Sequence, residues 1–323
     1  MSSNVLGKKV AKIALSYEGA KTGDKKHRKL VDTFNKVEPN GMVASYKDYW
    51  CAISWTAWQI LAGMSHKDVP MGYNVPRLIE EAKARKIWVE SDSYTPRAGD
   101  GIIYDWQDSG KGDNTGNGDH IGVVYKCTKD TIYVIEGNAG DKGVCKKRKV
   151  AINGRYIRGF ITPKYNAIYI DHLARRYAWA KGTPKATYQK KPNKYFKRAW
   201  HKHFPKKKIG SGCHQFVMLV MRVAGYKVMP LAWDKIIKYL SKRCTRIAFK
   251  GVSSLKKGDI FVYRRVDKKG VKHHHIFIIV EIDGKLMIAE ANQGKSYAHI
   301  NTSLKKTVKT YANTWLFRPK EVR

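Results

Sequence analysis

The chain states one chemical pattern twice, and that repetition limits what it can fold into more than any other feature. Cys51 opens the apolar run CAISWTAWQILAG, which closes on Gly63, and Cys213 opens CHQFVMLVMRVAG, which closes on Gly225 with the same spacing. Each run is followed by a Gly-Asp that starts a strand-like stretch, AGDGIIYDW from Ala98 and KGDIFVYRR from Lys257. Each copy then has a histidine opening a second apolar strand, His120 in DHIGVVY and His275 in HHIFIIV. A third strand ends each copy with Glu-x-Asn: Glu136 and Asn138 in IEGN, Glu290 and Asn292 in AEAN. Composition alone does not produce one Cys, one His and one Glu-x-Asn in the same order on matching elements. The pattern reads as a duplicated cysteine-nucleophile domain.

A length of 323 residues accommodates two such domains, each able to bury its own core. Hydrophobic residues make up 43% of the chain, which argues for folded protein rather than disorder. No apolar run is long enough to span a bilayer, so membrane insertion is not expected. The opening MSSNVLGKKVAKIALSYEG lacks the apolar core and cleavage site of a signal peptide and reads as an amphipathic helix with Val5, Leu6, Val10, Ile13 and Ala14 on one side. Synthesis in the cytoplasm is the expectation. Five cysteines without close pair spacing make no disulfide framework, and Cys127, Cys145 and Cys244 read as filler thiols.

Charge is extreme and uneven. The net charge is +37; residues 1–165 hold 27 Lys/Arg against 18 Asp/Glu (+9), and residues 166–323 hold 36 against 8 (+28). Such a field draws polyanions over about 8–10 Å at ordinary ionic strength without saying which polyanion. Nucleic acid, anionic lipid and acidic wall polymers would all respond to it.

Pattern and punctuation predict two helices before Cys51, a buried helix from Cys51 to Gly63, a fourth around PRLIEEAKARK, and strands from Gly99 onward. The first domain is assigned to residues 1–165. Between Asn166 and Gly210 stand 13 Lys/Arg and one acidic residue, and this stretch reads as a basic linker (166–195) running into the first helix of a second domain, 196–323. The second domain then repeats the order: a helix from Cys213, a helix near WDKIIKYLSKR, and strands FVYRR, HIFIIVEI and KLMIAEA.

A thiol attacks well only as thiolate, and an ordinary cysteine has a pKa near ~8.5. A helix N-terminus favours the anion, and both Cys51 and Cys213 open apolar helices. A histidine on the facing strand can take the proton and later deliver it to a leaving amine. That histidine needs a polar group to orient it. Glu136 and Asn138, 16 and 18 residues beyond His120, leave room for one strand, a turn and part of a second. The outcome is a Cys-His-polar arrangement of the papain type.

The segments YWCAISWTAW, PRAGDGIIYDW, GDHIGVVYK, VIEGN and GRYIRGFITPKY together resemble the CHAP domain, a cysteine- and histidine-dependent amidohydrolase/peptidase, in its phage endolysin and wall-hydrolase versions. The resemblance covers residues 1–165. It implies Cys51 as nucleophile, His120 as base, Glu136 to orient His120, Asn138 as a supporting polar group, and amide bonds of bacterial peptidoglycan as substrate. The second domain is similar to NlpC-type papain-like wall hydrolases through GSGCHQFV, LKKGDIFVY and HIFIIVE, which implies Cys213, His275, Glu290 and Asn292 in the same roles. It departs from that pattern twice. His214 follows the cysteine where a small residue is usual, and Phe277, in the place of Gly122, is expected to narrow the groove.

The expected fold is therefore α+β: two tandem papain-like domains, each a nucleophile-bearing helix packed on an antiparallel sheet. The resemblance implies a peptidoglycan amidase or endopeptidase that reaches the wall through a separate pore, and the charge adds the expectation of a monomer held on acidic wall polymers. No cofactor is expected. Three consecutive histidines, His273 to His275, cannot all ligate one ion from a regular strand, so no metal is expected there. Asp105, Asp108, Asp113 and Asp119 lie among glycines, but without EF-hand spacing they read as a polar hairpin. Trp55 and Trp58 read as core, and Trp50 and Trp106 as groove residues. The alternative from another class is a polyanion-binding protein with vestigial cysteines. Nucleic acid is the weaker partner, since no zinc-finger, helix-turn-helix or RNP-type motif is present.

Overall fold

The computed structural model describes residues 4–108, 116–229, 232–266, 269–292, 295–309 and 313–320. Apart from a few terminal residues, the chain divides into two units, Leu6–Lys164 and Tyr165–Val322.

The N-terminal unit begins with four helices: α1 (Val5–Leu15), α2 (Lys25–Asn35), α3 (Cys51–Ala62) and α4 (Val75–Ala84). Local chemistry sets their ends. Asp24 caps α2 by accepting from the His27 backbone N–H at 2.7 Å, and Asn74 caps α4 by accepting from Arg77 at 3.0 Å. Gly63 stops α3 in the left-handed region at φ 95°. Ten of the twelve α3 residues are buried, as its uniformly apolar sequence requires. Six strands follow: β1 (Trp88–Val89), β2 (Gly101–Tyr104), β3 (His120–Cys127), β4 (Thr131–Ala139), β5 (Val144–Ala151) and β6 (Ile157–Ile161). They form one antiparallel sheet in the order β1-β6-β2-β3-β4-β5. Helix α3 lies on β3 and β4. A separate apolar cluster includes Ile102, Val124, Val134 and Phe160.

The C-terminal unit has α5 (Tyr165–Tyr177), α6 (Lys185–Lys190), α7 (Lys194–His203), α8 (Cys213–Val223) and α9 (Trp233–Arg243) before its sheet. Strands β7 (Cys244–Ile247), β8 (Ile260–Val266), β9 (Lys272–Ile282), β10 (Lys285–Asn292) and β11 (Ser296–Asn301) follow, then α10 (Leu304–Lys309) and β12 (Asn313–Pro319). The sheet is antiparallel in the order β11-β10-β9-β8-β12-β7. Read from the other edge this is β7-β12-β8-β9-β10-β11, strand for strand the order of the first sheet. In each the histidine strand lies between the Gly-Asp strand and the glutamate strand, and the cysteine helix packs on the last two of these three.

Both Gly-Asp pairs make the same backbone turn. Gly99 N–H donates to the Val124 carbonyl and Val124 N–H to the Asp100 carbonyl; Gly258 and Ile279 do the same with Asp259. The aspartates are buried and hold the turn. Asp100 accepts from the Arg97 N–H at 2.8 Å, and Asp259 takes two 2.8 Å bonds from Arg318.

The reading of residues 166–195 as a linker does not survive. Tyr165–Tyr177 is a helix whose Ile170, Leu173, Ala174 and Tyr177 enter the core of the C-terminal unit beside α8. Their i, i+3, i+4, i+7 spacing is a helical stripe, and the surrounding basic residues hid it. Beyond it, Trp179 bridges backbone to backbone with β11, donating to Ala298 and accepting from Ile300. Helix α7, which starts at Lys194, buries Phe196 and Trp200 one turn apart. The second domain therefore begins some thirty residues before the expected 196.

Candidate active site

In the N-terminal unit, Cys51 stands at the first position of α3, where Trp50 offers no side-chain cap. The first-turn N–H groups are thus left for whatever approaches the thiol. His120 is the first residue of β3, opposite Tyr104 on β2. Glu136 sits on β4 opposite Gly122, two residues further along the histidine strand. Cys51 and His120 are nearly buried and Glu136 wholly so. Cys51, His120 and Asn138 line one cavity of about 590 Å³ together with Tyr49, Tyr73, Asp119 and Asp141. It is a cavity without Lys or Arg among its described lining residues, in a chain where those types outnumber acids 63 to 26. Trp106, 40% exposed, and Arg148 line an adjoining cavity of about 350 Å³ with His120 and Asn138.

The His120 ring reaches Glu136 at a long distance, 3.5 Å from Nε2 to Oε2. The carboxylate is shared. Arg148 Nε donates to both its oxygens, at 2.8 and 3.0 Å, while its guanidinium lies over Trp106 and Tyr104. Burial by itself disfavours a charged imidazole, yet the interactions of His120 with Cys51 and Glu136 outweigh it and raise its pKa to about 9. Glu136 is held below its ordinary value, since His120 and Arg148 overcome the effect of its burial.

The C-terminal unit assembles the same groups more tightly. Cys213 opens α8, after Gly212, whose N–H donates to the Gln215 side chain at 3.2 Å. His275 lies on β9 opposite Tyr263 on β8, the counterpart of the Tyr104–His120 pair. His275 Nε2 meets Glu290 Oε2 at 2.6 Å, and Asn301 on β11 donates to the other carboxylate oxygen. Burial pushes the Cys213 thiol up, but hydrogen bonds with His214 and His275 bring it down to about 6. Burial lowers His275 while Cys213 and Glu290 raise it, leaving it at about 9. Both shifts run in the same direction, toward thiolate and imidazolium. By contrast, burial pushes Cys145 and Cys244 up to about 12.

Some expected site residues go elsewhere. Asn292 is exposed at the end of β10, and the amide that supports Glu290 comes from Asn301. A register shift between Glu290 and Asn292 removes the two-residue alternation that would have kept them on one face. The matching irregularity after Glu136 puts Asn138 at φ 55°, where it still lines the cavity. Trp50 is fully buried, its indole N–H on Thr22 and its ring 4.9 Å from His27, so it is not a groove residue. Trp55 and Trp58 are core. Phe277 does not narrow the groove: it stacks on Phe261 at 5.0 Å in a core cluster that contains no α8 residue. Of the three histidines, His275 joins the site while His274 stacks on Trp233 at 5.0 Å. Asp113 lies outside the described residues.

Four groups escaped the sequence reading. Arg148 and Asn301 come from the outer strands and carry no local signal. The tyrosines Tyr104 and Tyr263 could have been found, since each follows its Gly-Asp aspartate by four residues in both copies. His214, noted only as a departure, lies beside the thiol and helps lower its pKa, with Trp233 at 6.2 Å from its ring.

Residues 42–138 match the CHAP domain. That family consists of cysteine- and histidine-dependent amidohydrolases and peptidases, and the matched segment contains Cys51, His120, Glu136 and Asn138. The match spans less than a third of the chain. No curated protein matches it. A solved structure of NlpC2 from Trichomonas vaginalis aligns at 9% identity with a TM-score of 0.27, over 73% of this chain and 98% of that one. No helix among the described residues is long and apolar enough to cross a membrane.

Proposed function

We propose that the N-terminal unit is a papain-like hydrolase that cleaves an amide bond in bacterial peptidoglycan, in the manner of a phage endolysin. The observation that supports this most is one cavity lined by a helix-opening cysteine and a carboxylate-paired histidine within the CHAP-matched segment. His120 takes the Cys51 proton, and Sγ attacks the carbonyl carbon, whose oxygen becomes an oxyanion facing the first-turn N–H groups of α3. The tetrahedral intermediate collapses to a thioester as the C–N bond breaks and His120 protonates the leaving amine. A water then attacks the thioester, giving its proton to His120; the C–S bond breaks and the free acid leaves. Glu136 orients His120 and stabilises its cation, and Asn138 bounds the cleft beside it.

The C-terminal unit is read as a second papain-like hydrolase, with Cys213 as nucleophile, His275 as acid–base and Glu290 as its partner. The repeated strand order and the 2.6 Å His275–Glu290 bond favour that reading over a vestigial copy. The strongly basic second half is read as holding the protein on acidic wall polymers. The test is mass spectrometry of fragments released from purified Gram-positive peptidoglycan by wild type, Cys51→Ala and Cys213→Ala. Loss of one defined cleavage in Cys51→Ala is expected, and the fragment masses distinguish amidase from endopeptidase. Wild type that releases nothing from several wall types would overturn the hydrolase reading.

A further inference from the structure

The C-terminal unit holds a cavity of about 1050 Å³ whose lining does not include Cys213, His275 or Glu290, between the end of α5 and the start of α7. Five cationic side chains line it, Arg175, Arg176, Lys191, Lys194 and Lys197, and no carboxylate is among the described lining residues. Arg175 is tied to Asp171 at 2.8 Å, so its charge is largely spoken for. The other four are exposed. Helix α7 adds its positive end: Asn193, its cap, and Lys194, its first residue, both face the cavity.

We infer that this groove binds a linear phosphodiester polymer that carries no bases, of the polyol- or sugar-phosphate kind. Concentrated cation with no competing acid selects polyanions. The state of Tyr195, an aromatic residue of the groove, favours phosphates over bases. Base recognition on single strands needs free ring faces for stacking. Here the Tyr195 ring is already engaged by the Arg176 guanidinium at 4.7 Å and the Lys194 ammonium at 5.2 Å. The Trp179 indole N–H donates to the Lys191 carbonyl at 2.9 Å and so fixes the backbone that carries the Lys191 side chain. The Tyr195 ring thus holds two of the groove cations in place for phosphates. The inference rests on the wall-polymer part of the function proposed above and is independent of hydrolysis.

The test uses the full chain and labelled poly(glycerol phosphate), with oligothymidylate of similar charge as the comparison, titrated across a salt series. The groove variant is Lys191→Gln/Lys194→Gln/Lys197→Gln. A control variant, Lys242→Gln/Lys285→Gln/Lys305→Gln, removes the same charge from exposed positions elsewhere in the unit. Melting temperature verifies that both fold. The groove variant should bind poly(glycerol phosphate) at least about tenfold more weakly, with the slope of log K against log salt shallower by about two. The control should stay within about twofold of wild type. Equal losses in both variants would mean diffuse charge and overturn the groove. Oligothymidylate bound as tightly, with the same dependence on the groove lysines, would make it a nucleic-acid site. Because binding is read without turnover, failure here leaves the Cys51 cleavage test unaffected.

Discussion

At the scale of residues, the two sites use the same three side chains under different constraints. Glu290 gives His275 a short 2.6 Å bond, whereas Glu136 is divided between His120 and the Arg148 cation. Replacing Arg148 with Gln should release Glu136 to His120 and remove a nearby positive charge. Both effects favour the imidazolium, so the alkaline limb of Cys51-dependent hydrolysis should move up by as much as about one pH unit. A downward move in the pH–rate profile would show that Arg148 does not compete for Glu136. Cys213 offers a second measurement. Its thiol lies at about 6, so iodoacetamide should modify it at a rate that rises through that pH and levels near neutrality. Cys145 and Cys244, at about 12, should not react. In His214→Ala the midpoint should climb toward the ordinary thiol value near ~8.5. An unchanged midpoint would remove His214 from the site. The sign for stability runs oppositely for the two partners. The raised His275 contributes stability below its ordinary value, and that contribution is lost as pH rises through about 9. The depressed Glu290 contributes above its ordinary value and loses that as pH falls.

Among elements, strand irregularity and close approach decide what the cysteine helix meets. Gly122 lies between β2 and β4, and a Cβ there would stand 2.4 Å from Val134 Cγ1 and 2.8 Å from Glu136 Cγ. The absent side chain lets Glu136 come under His120. Gly122→Val should cost about 1–3 kcal/mol in thermal unfolding through overpacking. It should also cut Cys51-dependent turnover more than it raises KM, because it displaces the carboxylate and not the cleft wall. A variant with wild-type turnover would show that the space is not needed. Phe277 fills the corresponding place in the second copy, where it joins a cluster with Phe261 and His275 still meets Glu290 at 2.6 Å. Helix α5 makes a related point about legibility. Its apolar stripe was present in the sequence, yet thirteen basic residues between Asn166 and Gly210 made a tether the simpler reading. What settles it is a partner surface: Ile170, Leu173 and Tyr177 meet α8 and the sheet in one core.

For the whole molecule, two copies of one strand order predict two independent chemistries. With separate cores and separate nucleophiles, Cys51→Ala should leave the Cys213-dependent products at their wild-type rate, and the reverse should also hold. Timed product analysis of the two single variants checks this; a rate in either that falls more than about twofold for the remaining product would show the sites to be coupled. The sequence on its own determined the repeated order of elements: the cysteine helices, the histidine strands and the strands that carry the glutamates. Each of these is written in local periodicity, in spacing, or in a repeat that can be checked against its twin. Only the tertiary structure decided which residues complete each site. Arg148 and Asn301 arrive from outer strands, and Asn292 turns away at a bulge. Trp50 sinks into the core beside His27. These outcomes depend on strand pairing and register, which join residues by hydrogen bonds across the sheet and leave no trace in the order of the chain.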